Sequence, residues 1–365
     1  MNELFSAMKS SAVQPCRDSL KAELIRTLRV HSLFIAIVLC YAGALLIAAR
    51  IYNVLDKTSL SLYSKTLVHM TCACFLFYFT VYGIFVMLFV RPQYPLRYIL
   101  DNLRINYLTQ KRLVNALPVF LFMPVFLSAF TSFKTMIPII NPFSWDSTFA
   151  QWDAIVHGGV QPWQLLHPVF GHPLLTAAIN ISYNMWFFVM FLILFWQVFS
   201  LHNARLRMQY LLTYILSWIL IGTFAAIVFS SAGPCYYGRL VEGEDIYHPL
   251  MEYLSTANER FPIWALDTQE MLWKAYRSSE ITKFNGISAM PSMHMSLAFI
   301  FALVGFHRHR LLGIVLTVFA VLIMIGCVHL GWHYAIDGYV AVVFTWLIWW
   351  FVGRLLGRFG VLINV

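Results

Sequence analysis

Two short stretches carry side chains that could do chemistry together. The first reads G-I-S-A-M-P-S-M-H-M-S from Gly286 to Ser296, and the second H-L-G-W-H-Y-A-I-D from His329 to Asp337. Pro291 suits the first position of a helix, where its missing N–H costs nothing. The free N–H groups of Ser292 and Met293, the Ser292 hydroxyl and the positive end of the helix dipole would then form an anion site, with His294 in the same turn. A histidine beside a bound phosphate can protonate a departing oxygen, a step its ordinary pKa suits. In the second stretch His333 and Asp337 are four apart. On one helix face, the carboxylate would hold one ring nitrogen and present the other as a nucleophile. His329 precedes His333 by the same interval and is expected on that face, as a helper, a pocket residue or a structural histidine.

The elements between these stretches must bring them together. A helix over 292 to 307 covers about 24 Å and one over 311 to 330 about 30 Å, near the thickness of a bilayer's hydrocarbon core. A hairpin of the two, turning at the basic run His307-Arg308-His309-Arg310, returns His333 to the side where His294 began. Ionisable residues at membrane depth are costly, so their convergence there marks a functional site.

The whole chain fits that setting. It has 365 residues, 60% hydrophobic and 11% charged, well above the apolar share of soluble domains. Apolar runs fall at about 30 to 49, 66 to 90, 113 to 133, 173 to 199, 210 to 229, 292 to 307, 311 to 330 and 334 to 353. These predict an all-α polytopic bundle of about eight spans, the sixth short and the third interrupted by Pro118 and Pro124. Continuous runs exclude a barrel.

With an even number of spans both termini share one side, and the larger share of the 25 Lys and Arg residues collects there. That bias predicts cytoplasmic termini and a site on the non-cytoplasmic face, periplasmic or lumenal, with a bacterial inner membrane as the expected setting. The net charge of +9 follows from topology and calls for no nucleic acid. Residues 1–29 read as a cytoplasmic amphipathic segment rather than a signal peptide. Residues 30–112 read as two additional spans with a basic loop, and 354–365 as a cytoplasmic tail.

Between the third and fourth spans, Trp145, Phe149, Trp152 and Ile155 or Val156 recur at helical spacing with Asp146 and Asp153 on the margins. They read as a helix in the interface plane. Asp146, Asp153, His157, His167 and His172 match no compact metal-ligand pattern, and Cys72 and Cys74, inside the second span, read as apolar packing residues. No metal is expected. Only Cys235 of the six cysteines falls clearly in an outer loop, so no disulfide is expected. The loop 230–290 is long enough to hold structure of its own. Its stretch from Glu252 to Tyr276 has helical spacing and is expected to cover the site as a lid.

At Pro291, Ser292 and His294, and at His333 and Asp337, the chain resembles the type 2 phosphatidic acid phosphatase superfamily, whose second and third motifs read P-S-x-H and S-R-x5-H-x3-D. The resemblance covers about 113 to 353. It implies a six-helix core, no metal or other cofactor, a lipid bilayer, and a phospholipid or lipid phosphate substrate. It also implies His333 as nucleophile, His294 as acid then base, and Asp337 as orienting partner. The chain departs from the pattern at Gly326 and Cys327, which replace S-R, and at Met293, where glycine is common. No K-x6-R-P motif stands near Gly233-Pro234, so Arg239, Lys283 and Arg277 of the outer loop are expected to bind phosphate instead. These departures resemble the inositol phosphorylceramide synthase branch and point to a transferase. A lipid phosphate phosphatase is the alternative, and a transporter or a metal enzyme on His329, His333 and Asp337 are further ones.

Overall fold

The computed structural model describes residues 20–278 and 286–358. Residues 1–19, Lys283 and the end of the tail therefore lie outside the described residues. The described chain is helical, with no strand in it. An amphipathic helix, α1 (Leu20–Val30), leads into α2 (Ser32–Ile51) and α3 (Ser64–Val90), and a short basic helix, α4 (Pro95–Asn102), precedes α5 (Gln110–Ile140). Two short helices, α6 (Asp146–Val156) and α7 (Pro162–Phe170), connect to α8 (Pro173–Phe199) and α9 (Ala204–Val228). The long loop folds into α10 (His248–Asn258) and α11 (Trp264–Ser278), followed by α12 (Met293–Arg308), α13 (Arg310–His329) and α14 (Ala335–Arg358).

Seven of these helices, α2, α3, α5, α8, α9, α13 and α14, are long and apolar enough to cross a membrane; α12, with 16 residues, is apolar but shorter. The chain is an integral multi-pass membrane protein. Its buried side chains run through α5, α8, α9, α12, α13 and α14, while α3 is left mostly exposed on its long apolar surface, as a helix facing lipid would be. The α12–α13 pair is the antiparallel hairpin that the run lengths predict.

Two local expectations change. Helix α5 is not interrupted: it runs continuously with Pro118, Pro124 and Pro138 inside it. Each proline removes the N–H that would bond the carbonyl four residues earlier, a loss that helices spanning a membrane tolerate where neighbouring segments pack against them. The stretch from Glu252 to Tyr276 is two helices rather than one, broken between Asn258 and Trp264. Asn258 Oδ1 accepts the Ile263 N–H at 2.7 Å and closes that turn.

Helix α6 exists where the aromatic spacing puts it, and the aspartates expected on its margins are buried. Asp146, Phe149 and Asp153 are buried while Trp152, Ile155 and Val156 are exposed. The carboxylates turn inward because loop and helix ends offer them N–H donors. Asp146 accepts from the backbone N–H of Ala232 and Gly233 at 2.8 to 3.1 Å and from the Tyr334 hydroxyl at 2.9 Å. Asp153 accepts from the first N–H groups of α14, those of Ala335 at 2.7 Å and Ile336 at 2.9 Å. Burial pushes both carboxyls up in pKa, and these N–H donors pull them back down.

Candidate active site

The site is assembled from three loops at one end of the bundle, those carrying Ser231, Ala289 and His333. Ser231 ties two of them: its carbonyl accepts the Ala289 N–H at 2.9 Å, and its hydroxyl accepts the Met290 N–H at 3.2 Å. The Cys235 N–H donates to the Gly331 carbonyl at 2.8 Å. Gly233 makes the close approach possible. Its φ is +106°, and a Cβ there would stand 2.6 Å from the Trp332 carbonyl oxygen, so a side chain would push the strand of backbone carrying His333 away.

His333 lies in the turn between α13 and α14. Its Nδ1–H donates to the Ala289 carbonyl at 2.8 Å and points to Asp337 Oδ2 at 3.3 Å. That bond fixes the tautomer and leaves Nε2 without a partner among the described residues. Burial holds the imidazole far below its usual range, at about 3; the bond to Ala289 opposes this and the charge of Lys134 adds to it. The ring is therefore neutral, with an open lone pair, across the physiological range. Asp337 also accepts the Tyr334 N–H at 3.1 Å, acting from the third position of α14 back onto the residue before the helix.

His294, in the first turn of α12, sits with its ring centroid 6.0 Å from that of His333. Its ring lies 4.3 Å from Trp186 and 4.6 Å from Tyr183, and Trp186 Nε1 donates to its carbonyl at 3.0 Å. Its Nε2 is buried without a hydrogen-bond partner among the described residues. The hairpin thus brings together the two histidines and the carboxylate that the sequence singles out.

Both imidazoles line one cavity of about 350 Å³. Its lining includes His294, His333, Ser288 and Lys134, and large apolar side chains, among them Phe130, Trp186, Phe191 and Trp218 from α5, α8 and α9. Ala265, Thr268, Met271 and Leu272 of α11 add to the wall. The outer loop thus contributes α11 to the lining of the cavity.

Other sequence-derived candidates are placed elsewhere. Ser292 is fully buried and is the cap of α12, its hydroxyl accepting the Met295 N–H at 3.4 Å, while its own N–H donates to the Asp337 carbonyl at 3.1 Å. Neither group is free for an anion, and Pro291 precedes the cap instead of opening the helix. The Ser292 N–H that a helix start would leave unbonded is taken by α14. Met293 does line the cavity.

His329 ends α13, so it cannot share a helix face with His333. Its Nε2 is 2.9 Å from the Thr176 hydroxyl, its ring lies near His167, Phe170 and Tyr253, and it does not line the cavity. Arg239 pairs with Glu270 at 2.9 Å and lies over the Trp273 ring, beside Arg277 in a separate surface depression. A carboxylate and an indole on the same loop hold it there. Lys134, from α5, does line the cavity.

The described chain is an all-helical membrane bundle with two histidines lining one cavity. The sequence pattern of the PAP2 superfamily matches residues 147–351, more than half of the chain, and the chain belongs to that superfamily. No curated protein and no solved structure matches it. Superfamily membership makes it a lipid phosphate enzyme of the phosphatase or phosphotransferase type, acting in a bilayer.

Proposed function

We propose that the protein is a lipid phosphotransferase working through a phosphohistidine on His333. The observation that carries this is the pairing of imidazoles across one cavity, 6.0 Å apart, with Nε2 of His333 freed by the Ala289 bond to Nδ1. In the first displacement Nε2 of His333 forms a bond to phosphorus while the bond to the leaving oxygen breaks, and His294 gives that oxygen a proton. In the second, His294 takes the proton of an acceptor alcohol as its oxygen bonds to phosphorus and the N–P bond breaks. Asp337 stabilises the charge that develops on the His333 ring. Holding both groups against a bound lipid supplies much of the rate.

The apolar part of the cavity supports a lipid chain as the bound portion. The apolar lining that α11 adds with Ala265, Met271 and Leu272 supports an alcohol over water as second acceptor, since apolar walls limit free water. Met293 before the histidine and Gly326-Cys327 in place of a serine and an arginine support a phosphoinositol as the group moved, as in the inositol phosphorylceramide synthase branch. The charge bias along the sequence supports a non-cytoplasmic site.

Purified protein incubated with mixed membrane lipids, with and without added lipid alcohols, tests the reaction by mass spectrometry. The expected result is a new phospholipid in proportion to the alcohol, with no product from His333→Ala. Release of inorganic phosphate from a lipid phosphate in the absence of any alcohol would replace the transferase with a phosphatase.

A further inference from the structure

One Lys or Arg side chain lines the cavity among the described residues, and it comes from an unexpected place. Lys134 lines the cavity with His294 and His333, and its charge acts on His333. It has no carboxylate and no hydrogen-bond partner among the described residues. It stands about 9 Å before the last residue of α5, at 1.5 Å per residue. An unpaired ammonium in such surroundings is costly and by default points to an anionic partner.

The loop beside it is shaped to its stem. Gly286 has a φ of +93°, and a Cβ there would lie 2.9 Å from Lys134 Cγ and from its backbone carbon. Only a glycine lets the chain pass that close. Three residues on, the Ala289 carbonyl holds His333 at 2.8 Å. One short segment therefore passes against the stem of the lysine at one end and holds the nucleophile at the other.

We infer that Lys134 is the cation that binds the equatorial phosphoryl oxygens of the substrate, and that this chain takes it from α5, outside the segment matched by the superfamily pattern. The ammonium neutralises the phosphoryl group as it approaches His333 and is positioned to hold the added charge of the transition state. With Ser292 turned to capping and Arg239 and Arg277 elsewhere, the phosphate is bound by a helix that precedes the matched segment. This role rests on the phosphoryl-transfer reading above.

Binding of orthovanadate, which takes the five-coordinate shape of a phosphoryl group in transfer, tests it on the purified full-length protein. Lys134→Met keeps the stem against Gly286 and removes the charge. It is expected to weaken vanadate binding at least about tenfold, the scale of a lost charge-assisted contact, with a melting temperature without vanadate equal to or above that of wild type, and Lys134→Arg is expected to bind within about threefold of wild type. If the Met variant does not fold, Lys134→Gln is read by the same criterion. Wild-type affinity in the charge-free variant would overturn the assignment, as it would if the lysine only anchors α5 at the membrane surface; so would a wild-type protein that binds no vanadate. Labelling of His333 by substrate phosphorus in the wild type tests the phosphoryl-transfer reading separately, because it does not depend on what Lys134 does.

Discussion

The carbonyl oxygen of Ala289 stands 2.8 Å from His333 Nδ1, nearer than Asp337 Oδ2 at 3.3 Å. The tautomer of the proposed nucleophile is thus held by backbone, and the carboxylate is left to stabilise charge on the ring and to cap α14 through the Tyr334 N–H.

Asp337→Asn is therefore expected to be milder than in a site where the carboxylate alone sets the tautomer. Single-turnover labelling of His333 should slow about 100-fold, while His333→Ala abolishes labelling altogether. Asp337→Ala should in addition lower the melting temperature, because the buried Tyr334 N–H loses its acceptor at a cost of about 1–3 kcal/mol. Loss of labelling in the Asn variant as complete as in His333→Ala would show that the Ala289 bond does not suffice.

Asp153 joins α6 to the start of α14 through two N–H groups. Asp153→Ala leaves both donors buried and unpaired, so a loss of several kcal/mol is expected, seen as a melting temperature lower by roughly 5 °C or more in detergent. Asp153→Asn keeps an acceptor and should lose less. Equal melting temperatures for the Ala variant and wild type would contradict this account of the contact.

Stability should fall with pH because of His333. The unfolded imidazole titrates near 6.5 and the folded one at about 3, so its contribution is complete above pH 6.5. Below that, protons bind the unfolded chain first, and up to about 1.4 kcal/mol is lost per pH unit until about pH 3. His31, lowered to about 4 chiefly by burial, adds the same sign in wild type and variant alike. Melting curves of wild type and His333→Gln should therefore diverge between pH 6.5 and 4, the wild type losing more; parallel curves would mean that His333 is not buried in its neutral form.

Arg239 and Arg277 sit in an exposed depression with Glu270 and Lys274. Arg239→Gln and Arg277→Gln should leave turnover within about twofold of wild type and stability within about 1 kcal/mol, the worth of an exposed pair. A tenfold rise in KM for either would place these cations at the substrate after all.

The bundle was legible because membrane helices are a one-dimensional signal: each span must satisfy its own backbone within a continuous apolar run. The meeting of His294 with His333 followed from two helix lengths and a turn. The orientation of α6 was not legible, since aromatic residues suit lipid and packed interior alike, and its two aspartates turn inward only because the loop at Ala232–Gly233 and the start of α14 present donors to them.

The sequence by itself determined the helices, the hairpin and the histidine pair with its carboxylate, all of which depend on spacing along one chain. Tertiary structure alone decided that Ala289 holds His333, that Ser292 caps a helix, and that Lys134 of α5 enters the cavity while Arg239 and Arg277 stay outside. A backbone carbonyl leaves no mark in a sequence, and a lysine reads the same whether it anchors a helix at the membrane surface or faces a cavity; only the packing of segments far apart in the chain separates those cases.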